Sequence, residues 1–139
     1  MKDRVFIDTN IYVYSSLEDN LHIEKRNKAV NFIKTIDKTI ISNTQVINEF
    51  YVILVRNKIS DSMIQERVEE IIKNTELILI TVESIRLSWK IKEKYKYSYW
   101  DSLILASALE NGCSCVYTED MQNGQLIEEK LNIINPFLG

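Results

Sequence analysis

The sequence predicts an α/β fold, a doubly wound and mostly parallel sheet of four or five strands with helices on both faces. Three observations carry that expectation. Short apolar runs alternate with helical patterns along the chain, which implies right-handed βαβ crossovers. The 139 residues, 45% of them hydrophobic, suit one compact domain with a sizeable core. The single proline, Pro136, lies near the C-terminus and the three glycines are scattered, so no linker, repeat or low-complexity tract divides residues 1–139.

Taken in order, the first strand spans residues 4–8, where Val5-Phe6-Ile7 forms a buried run and Asp8-Thr9-Asn10 its exit loop. A helix follows over 23–36, with Ala29, Val30, Ile33 and Ile36 at three- and four-residue spacing on one face. The second strand covers 39–42. Ser42 or Asn43 then caps a helix over 46–56. A further helix over 64–73 makes a hairpin projecting beside the strand ends, and its Met63, Ile64, Val68, Ile71 and Ile72 belong to the core or to a dimer surface. The third strand covers 77–82. Helices over 85–95 and 102–111 follow, the second stopped by Gly112. Strands over 113–118 and 132–135 complete the sheet.

Charge and cysteine usage narrow the function. A net charge of −3 and a pI near 5.3 argue against nucleic-acid binding by bulk positive charge. A nuclease remains open, because bound cations reverse the local sign of an acidic site. Apolar stretches fall short of the ~20 residues of a membrane span, and the start of the chain meets an acid too early for a signal peptide, so a cytoplasmic location is expected. Cys113 and Cys115 share a strand face with nothing to complete a zinc set, and read as small buried thiols. His22, the only histidine, sits in the polar stretch of residues 18–22 with no nucleophile elbow nearby, and reads as a surface or helix-start residue.

Four carboxylates remain, each beside an apolar segment. Asp8 closes the first strand, Glu49 lies less than two turns into the helix after the second, Asp101 opens an apolar helix whose dipole favours an acid, and Asp120 follows the strand ending at Thr118. Taken singly, each has a plain reading as a cap, a solvated residue or a turn residue. Together they converge on the strand-exit edge of a parallel sheet, where α/β proteins bind ligands. Carboxylates that close need a cation to stay ionised, and Mg²⁺ or Mn²⁺ prefers such oxygen donors. A metal-activated water then hydrolyses a phosphodiester without histidine or serine. Glu119 stands beside Asp120 as a possible replacement.

At these positions the chain resembles the PIN domain family, and within it the VapC-type toxins of toxin-antitoxin pairs. The resemblance is carried by Phe6-Ile7-Asp8-Thr9-Asn10, Asn48-Glu49-Phe50, the stretch from Tyr99 to Ala106, that from Thr118 to Gln125, and Ile134-Asn135-Pro136-Phe137. It implies a metal-dependent endoribonuclease, with Asp8, Glu49, Asp101 and Asp120 as Mg²⁺ or Mn²⁺ ligands and Asn10 and Thr118 supporting them by hydrogen bonds. It also implies a homodimer neutralised by a small antitoxin protein that covers the site.

Two other classes share part of this pattern. A haloacid-dehalogenase-like phosphatase also places an aspartate at its first strand end, but requires a second acid where this chain has Asn10. A non-catalytic module would use the acidic pocket to bind a partner's arginine. For an RNA substrate, Arg56, Lys58 and the lysines at 90, 92, 94 and 96, interleaved with Tyr95, Tyr97, Tyr99 and Trp100, offer phosphate contacts and stacking faces.

Overall fold

The computed structural model describes residues 3–17 and 20–138. Glu18 and Asp19 of the polar stretch before His22, and Met1 and Lys2 at the N-terminal segment, lie outside them. The elements run β1 (Arg4–Ile7), α1 (Thr9–Ser16), a 3₁₀ turn (Asn20–His22), α2 (Ile23–Thr35), β2 (Thr39–Asn43), α3 (Thr44–Arg56), α4 (Asp61–Asn74), β3 (Glu76–Ile78), α5 (Val82–Tyr95), α6 (Tyr99–Glu110), β4 (Cys115–Tyr117), β5 (Leu126–Ile127) and β6 (Leu131–Ile134).

The strands form one sheet in the order β3-β2-β1-β4-β6-β5. Every neighbouring pair is parallel except β5 and β6. Moving outward from β1 to β2 to β3 by right-handed crossovers puts α1 to α4 on one face, and the return from β3 to β4 puts α5 and α6 on the other. The packing agrees: α1 lies against α2 and α3, α3 against α4, and α5 along α6. Val5, Phe6 and Ile7 in the central strand are fully buried, as expected for a parallel strand covered on both faces. Each such side chain withdrawn from water contributes on the order of 2 kcal/mol.

Two features depart from the sequence expectation. The residues read as an exit loop after β1 begin α1 instead, with Asp8 as its N-cap accepting from Thr9 N at 2.7 Å. Burial of Ile11, Tyr12 and Val13 outweighs the weak helix propensity of those residue types. The sheet also has six strands, not four or five. The extra one, β5, pairs with β6 through a turn in which Glu128 and Glu129 both have positive φ, 51° and 59°, closed by Lys130 N donating to Ile127 O at 3.0 Å. Two successive positive φ values mark a type I′ turn, for which Asn-Gly is the usual signature; a Glu-Glu pair conceals it.

The hairpin of α3 and α4 buries Ile64 and Ile71 in the core and leaves Met63 and Ile72 exposed. Cys113 and Cys115 are buried free thiols, and burial pushes the Cys113 thiol up to about 12. His22 ends the 3₁₀ turn and precedes α2, its ring 5.5 Å from that of Tyr14. Gly112, with φ of 71° just after α6, takes a backbone shape that costs glycine little.

Asn43 joins the start of α3 to the body of α6. Its Oδ1 caps α3 by accepting from Val46 N at 3.0 Å. Its Nδ2 donates to Ser107 Oγ of α6, also at 3.0 Å, in a fully buried setting. Asn43→Ala is expected to destabilise the chain by ~2 to 3 kcal/mol, a lost cap plus an orphaned buried hydroxyl, measured as a lower urea midpoint with unchanged slope. Asn43→Asp keeps the cap and should recover part of the loss.

Candidate active site

β1 and β4 are neighbours at the point where the strand order reverses, so their C-terminal ends open into a crevice. Asp8 follows β1 and Thr118 follows β4. Asp8 N donates to Tyr117 O at 2.9 Å, extending the ladder by one rung, and Thr118 Oγ1 donates to Asp8 Oδ2 at 2.9 Å. The Asp8 carboxylate therefore sits 5% exposed with one oxygen on its own helix N-terminus and the other on Thr118.

The other acids arrive from three further segments. Glu49 comes from the second turn of α3 and Asp101 from the first turn of α6, where Ser98 Oγ accepts from Asp101 N at 3.1 Å as the helix cap. Asp120 is held by Asn10, whose Nδ2 donates to Asp120 Oδ2 at 2.9 Å and to Thr118 Oγ1 at 3.1 Å. Asp8, Glu49, Asp101 and Asp120 all line one cleft of about 230 Å³, together with Asn10. Thr118 lies just behind it.

The four acids repel one another. The Asp8 carboxyl is pushed up to about 7, first by burial and then by the charges of Asp101 and Glu49, against the lowering effect of its hydrogen bonds from Thr9 and Thr118. Burial also raises Glu49 and Asp101, with further upward pushes from Asp101 and Asp120 on Glu49 and from Asp120 on Asp101. Among the described residues none that lines the cleft carries a positive charge. That donor set, hard oxygens with uncompensated charge, suits a divalent cation such as Mg²⁺. Among the described residues no three His, Cys, Asp or Glu side chains already close into a cage. Mg²⁺ needs none, since it keeps several waters and takes one or two carboxylates directly.

Glu119 lines the same cleft but is paired with a cation. Its Oε2 accepts from Lys25 Nζ at 2.6 Å, and Lys25 also lies over the rings of Tyr14 and Phe137, 4.9 and 5.5 Å from their centroids. The pairing neutralises Glu119 and leaves Asp120 as the uncompensated acid of that loop.

Three contributors escaped the sequence reading. Gln45 Nε2 donates to Glu49 Oε1 at 2.6 Å and to Trp100 O at 3.1 Å, tying α3 to the start of α6; its position four residues before Glu49 was the available signal. Ser98, three residues before Asp101, has capping spacing. Lys25 had no local signal, because it reaches Glu119 from 94 residues away.

Several residues expected to face RNA are occupied. Tyr97 OH donates to Gln125 Oε1 and accepts from Gln122 N, Tyr95 OH accepts from Glu128 N, and Lys94 pairs with Glu128. They fasten α5 to the segment around β5.

A proton held by Asp8 in the folded chain is lost more readily when it unfolds, because 3.8 is the ordinary value and about 7 the folded one. Without added metal, stability is therefore highest below pH ~4 as far as this group decides, and falls as pH rises toward 7, by up to about 4 kcal/mol. Asp8→Asn should abolish most of that slope and raise the melting temperature at pH 8 in chelator; an unchanged pH profile would refute the burial argument.

The PIN domain family model matches residues 5–122. No curated protein matches the sequence. Similar solved structures include VapC20 of Mycobacterium tuberculosis, a sarcin-ricin loop cleaving toxin, at 15% identity and a TM-score of 0.70, covering 84% of this chain and 89% of the other. A toxin-antitoxin complex from Klebsiella pneumoniae matches at 17% identity and a TM-score of 0.69, over 95% and 97% of the two chains. VapBC2 from Rickettsia felis, bound to a DNA fragment from its promoter, matches at 17% identity and a TM-score of 0.65, over 95% and 99%. At these identities the likeness is one of fold.

Proposed function

The chain belongs to the PIN domain family, and from that premise we propose that it is a Mg²⁺- or Mn²⁺-dependent endoribonuclease, the toxin of a toxin-antitoxin pair. The observation that carries the reading is the convergence of Asp8, Glu49, Asp101 and Asp120 on a cleft with no cation of its own. The family supports the nuclease class. The VapC20 and toxin-antitoxin structures of the same fold support the toxin assignment.

In this reading Asp8, Glu49, Asp101 and Asp120 hold the cation, which when bound supplies charge neutralisation at the scissile phosphate and an acidified water. The chain's own work is positional. Thr9 N and Thr118 Oγ1 hold both oxygens of Asp8. The Asn10 amide spans Thr118 and Asp120, so the loop after β4 is registered to the start of α1. Gln45 orients Glu49, and the N-terminus of α6 favours Asp101 in its ionised form. Apolar Val13, Ile53 and Ile104 line the cleft beside them and reduce the water competing for these contacts.

The phosphatase alternative loses ground at Asn10, whose amide is spent bridging Thr118 and Asp120 where that chemistry needs an acid. Further elements of the proposal are an antitoxin protein that covers the cleft, a homodimer, a single nuclease domain over residues 1–139 and a cytoplasmic location. No helix among the described residues is long and apolar enough to cross a membrane.

Purified chain should cleave single-stranded RNA with Mn²⁺ or Mg²⁺ and not with chelator. Asp8→Asn and Asp101→Asn should each abolish cleavage while melting cooperatively, and should lose the Mn²⁺-dependent rise in melting temperature at pH 8. Thr118→Val and Asn10→Ala should cost ~10- to 100-fold in metal affinity or activity. Asp120→Asn is expected to impair cleavage far more than Glu119→Gln. Metal-dependent cleavage surviving both aspartate substitutions would overturn the reading, and calorimetry without Mn²⁺ binding would leave only a non-catalytic pocket.

A further inference from the structure

We propose that a second groove, opening sideways from the carboxylate cleft, is a nucleobase subsite: an unpaired base of single-stranded RNA stacks on Trp100 while Arg56 takes an adjoining phosphate. The proposal rests on the ribonuclease reading and names where that substrate lies.

The groove has a volume of about 490 Å³ and runs between α3 and the start of α6. It shares Gln45, Glu49 and Ile53 with the acidic cleft, so a strand bound in one continues into the other. Trp100 is 61% exposed, although the helix it opens is buried from Ser102 through Ala108. A large aromatic face left in water next to a reactive centre is a stacking platform without a partner.

The main chain that carries the indole is held in place: the Trp100 backbone carbonyl accepts from Gln45 Nε2, the nitrogen that also holds Glu49. The ring of Tyr99 meets the indole edge-on, centroids 5.2 Å apart at 73°. Platform and carboxylate thus share one support.

The opposite wall supplies the rest of a nucleotide's chemistry in order. Asn48, Val52 and Arg56 recur every fourth residue along α3 and all line the groove. They present an amide beside Glu49, then an apolar surface, then a guanidinium. Arg56 is exposed and has no ion pair among the described residues. A base edge, a base face and a phosphate match that sequence of groups; an apolar peptide would leave the guanidinium without a counterpart. Trp89 provides the contrast. It is 57% exposed as well, but lines a separate hollow with Lys92, Glu93, Lys96 and Tyr97 that shares no residue with the acidic cleft.

The test combines metal-dependent cleavage of a single-stranded oligoribonucleotide with anisotropy binding of its fluorescein-labelled form to the uncleaving Asp101→Asn chain. Trp100→Ala should raise KM and the dissociation constant by ~5- to 100-fold, the loss of one stacked base, with kcat nearly unchanged. Trp100→Phe should restore most of the affinity. Arg56→Gln should weaken binding and lower the salt dependence by about one phosphate contact, and Trp89→Ala should do neither. Unaltered RNA binding by Trp100→Ala, in a parent that still cleaves, overturns the subsite and spares the ribonuclease; a groove reserved for a protein partner gives that same result. A parent that cleaves no RNA overturns the ribonuclease reading, and the binding measurement alone then decides the groove.

Discussion

Everything at the cleft hangs on one buried carboxylate. Asp8 follows β1 beside β4, and its partners are Thr9 at the start of α1, Tyr117 at the end of β4 and Thr118 just beyond it. An ionised acid withdrawn from water is costly unless compensated. Here the compensation is partial, which leaves Asp8 with a carboxyl pushed up to about 7. The strained balance is the chemical content of the site: a place where negative charge has been gathered and not neutralised.

Glu49 and Asp101 are placed by helix starts. Asn43 caps α3 and reaches across to α6, Ser98 caps α6, and Asp8 caps α1. A cap sets where the first turn begins, and so where a side chain in the first or second turn emerges. Asn43 joins the start of α3 to the body of α6 through Ser107, and Gln45 joins Glu49 to the start of α6 at Trp100, beside Asp101. The Lys25 to Glu119 pair distinguishes two adjacent acids: Glu119 has a cationic partner, whereas Asp120 accepts from the neutral Asn10 amide.

The sequence made the fold class legible because burial on both faces leaves β1, β2 and β4 as short apolar runs, and because the helices between them carry clear periodicity or caps. All four acids were legible as well, each standing at the polar end of an apolar segment, and the structure gathers them in one cleft. What stayed hidden had long-range or unusual local causes. α1 is made of residues with weak helix propensity and forms because Ile11, Tyr12 and Val13 are buried against the rest. β5 hides behind a positive-φ turn built from Glu128 and Glu129. Tyr95 and Tyr97 read as stacking residues, yet their hydroxyls fasten that same region. Hydroxyl partners 25 or more residues away leave no trace in spacing.

The sheet ends in a short strand on each side: β3 has three residues and β5, the shortest of all, has two. A three-residue rim offers few free backbone groups for a foreign strand to copy, and a two-residue rim fewer still. Continuation of this sheet into a neighbouring molecule is thus disfavoured at both ends. Ordered self-association is left to helical surfaces, with a geometry set by side chains that pack rather than by backbone groups that pair.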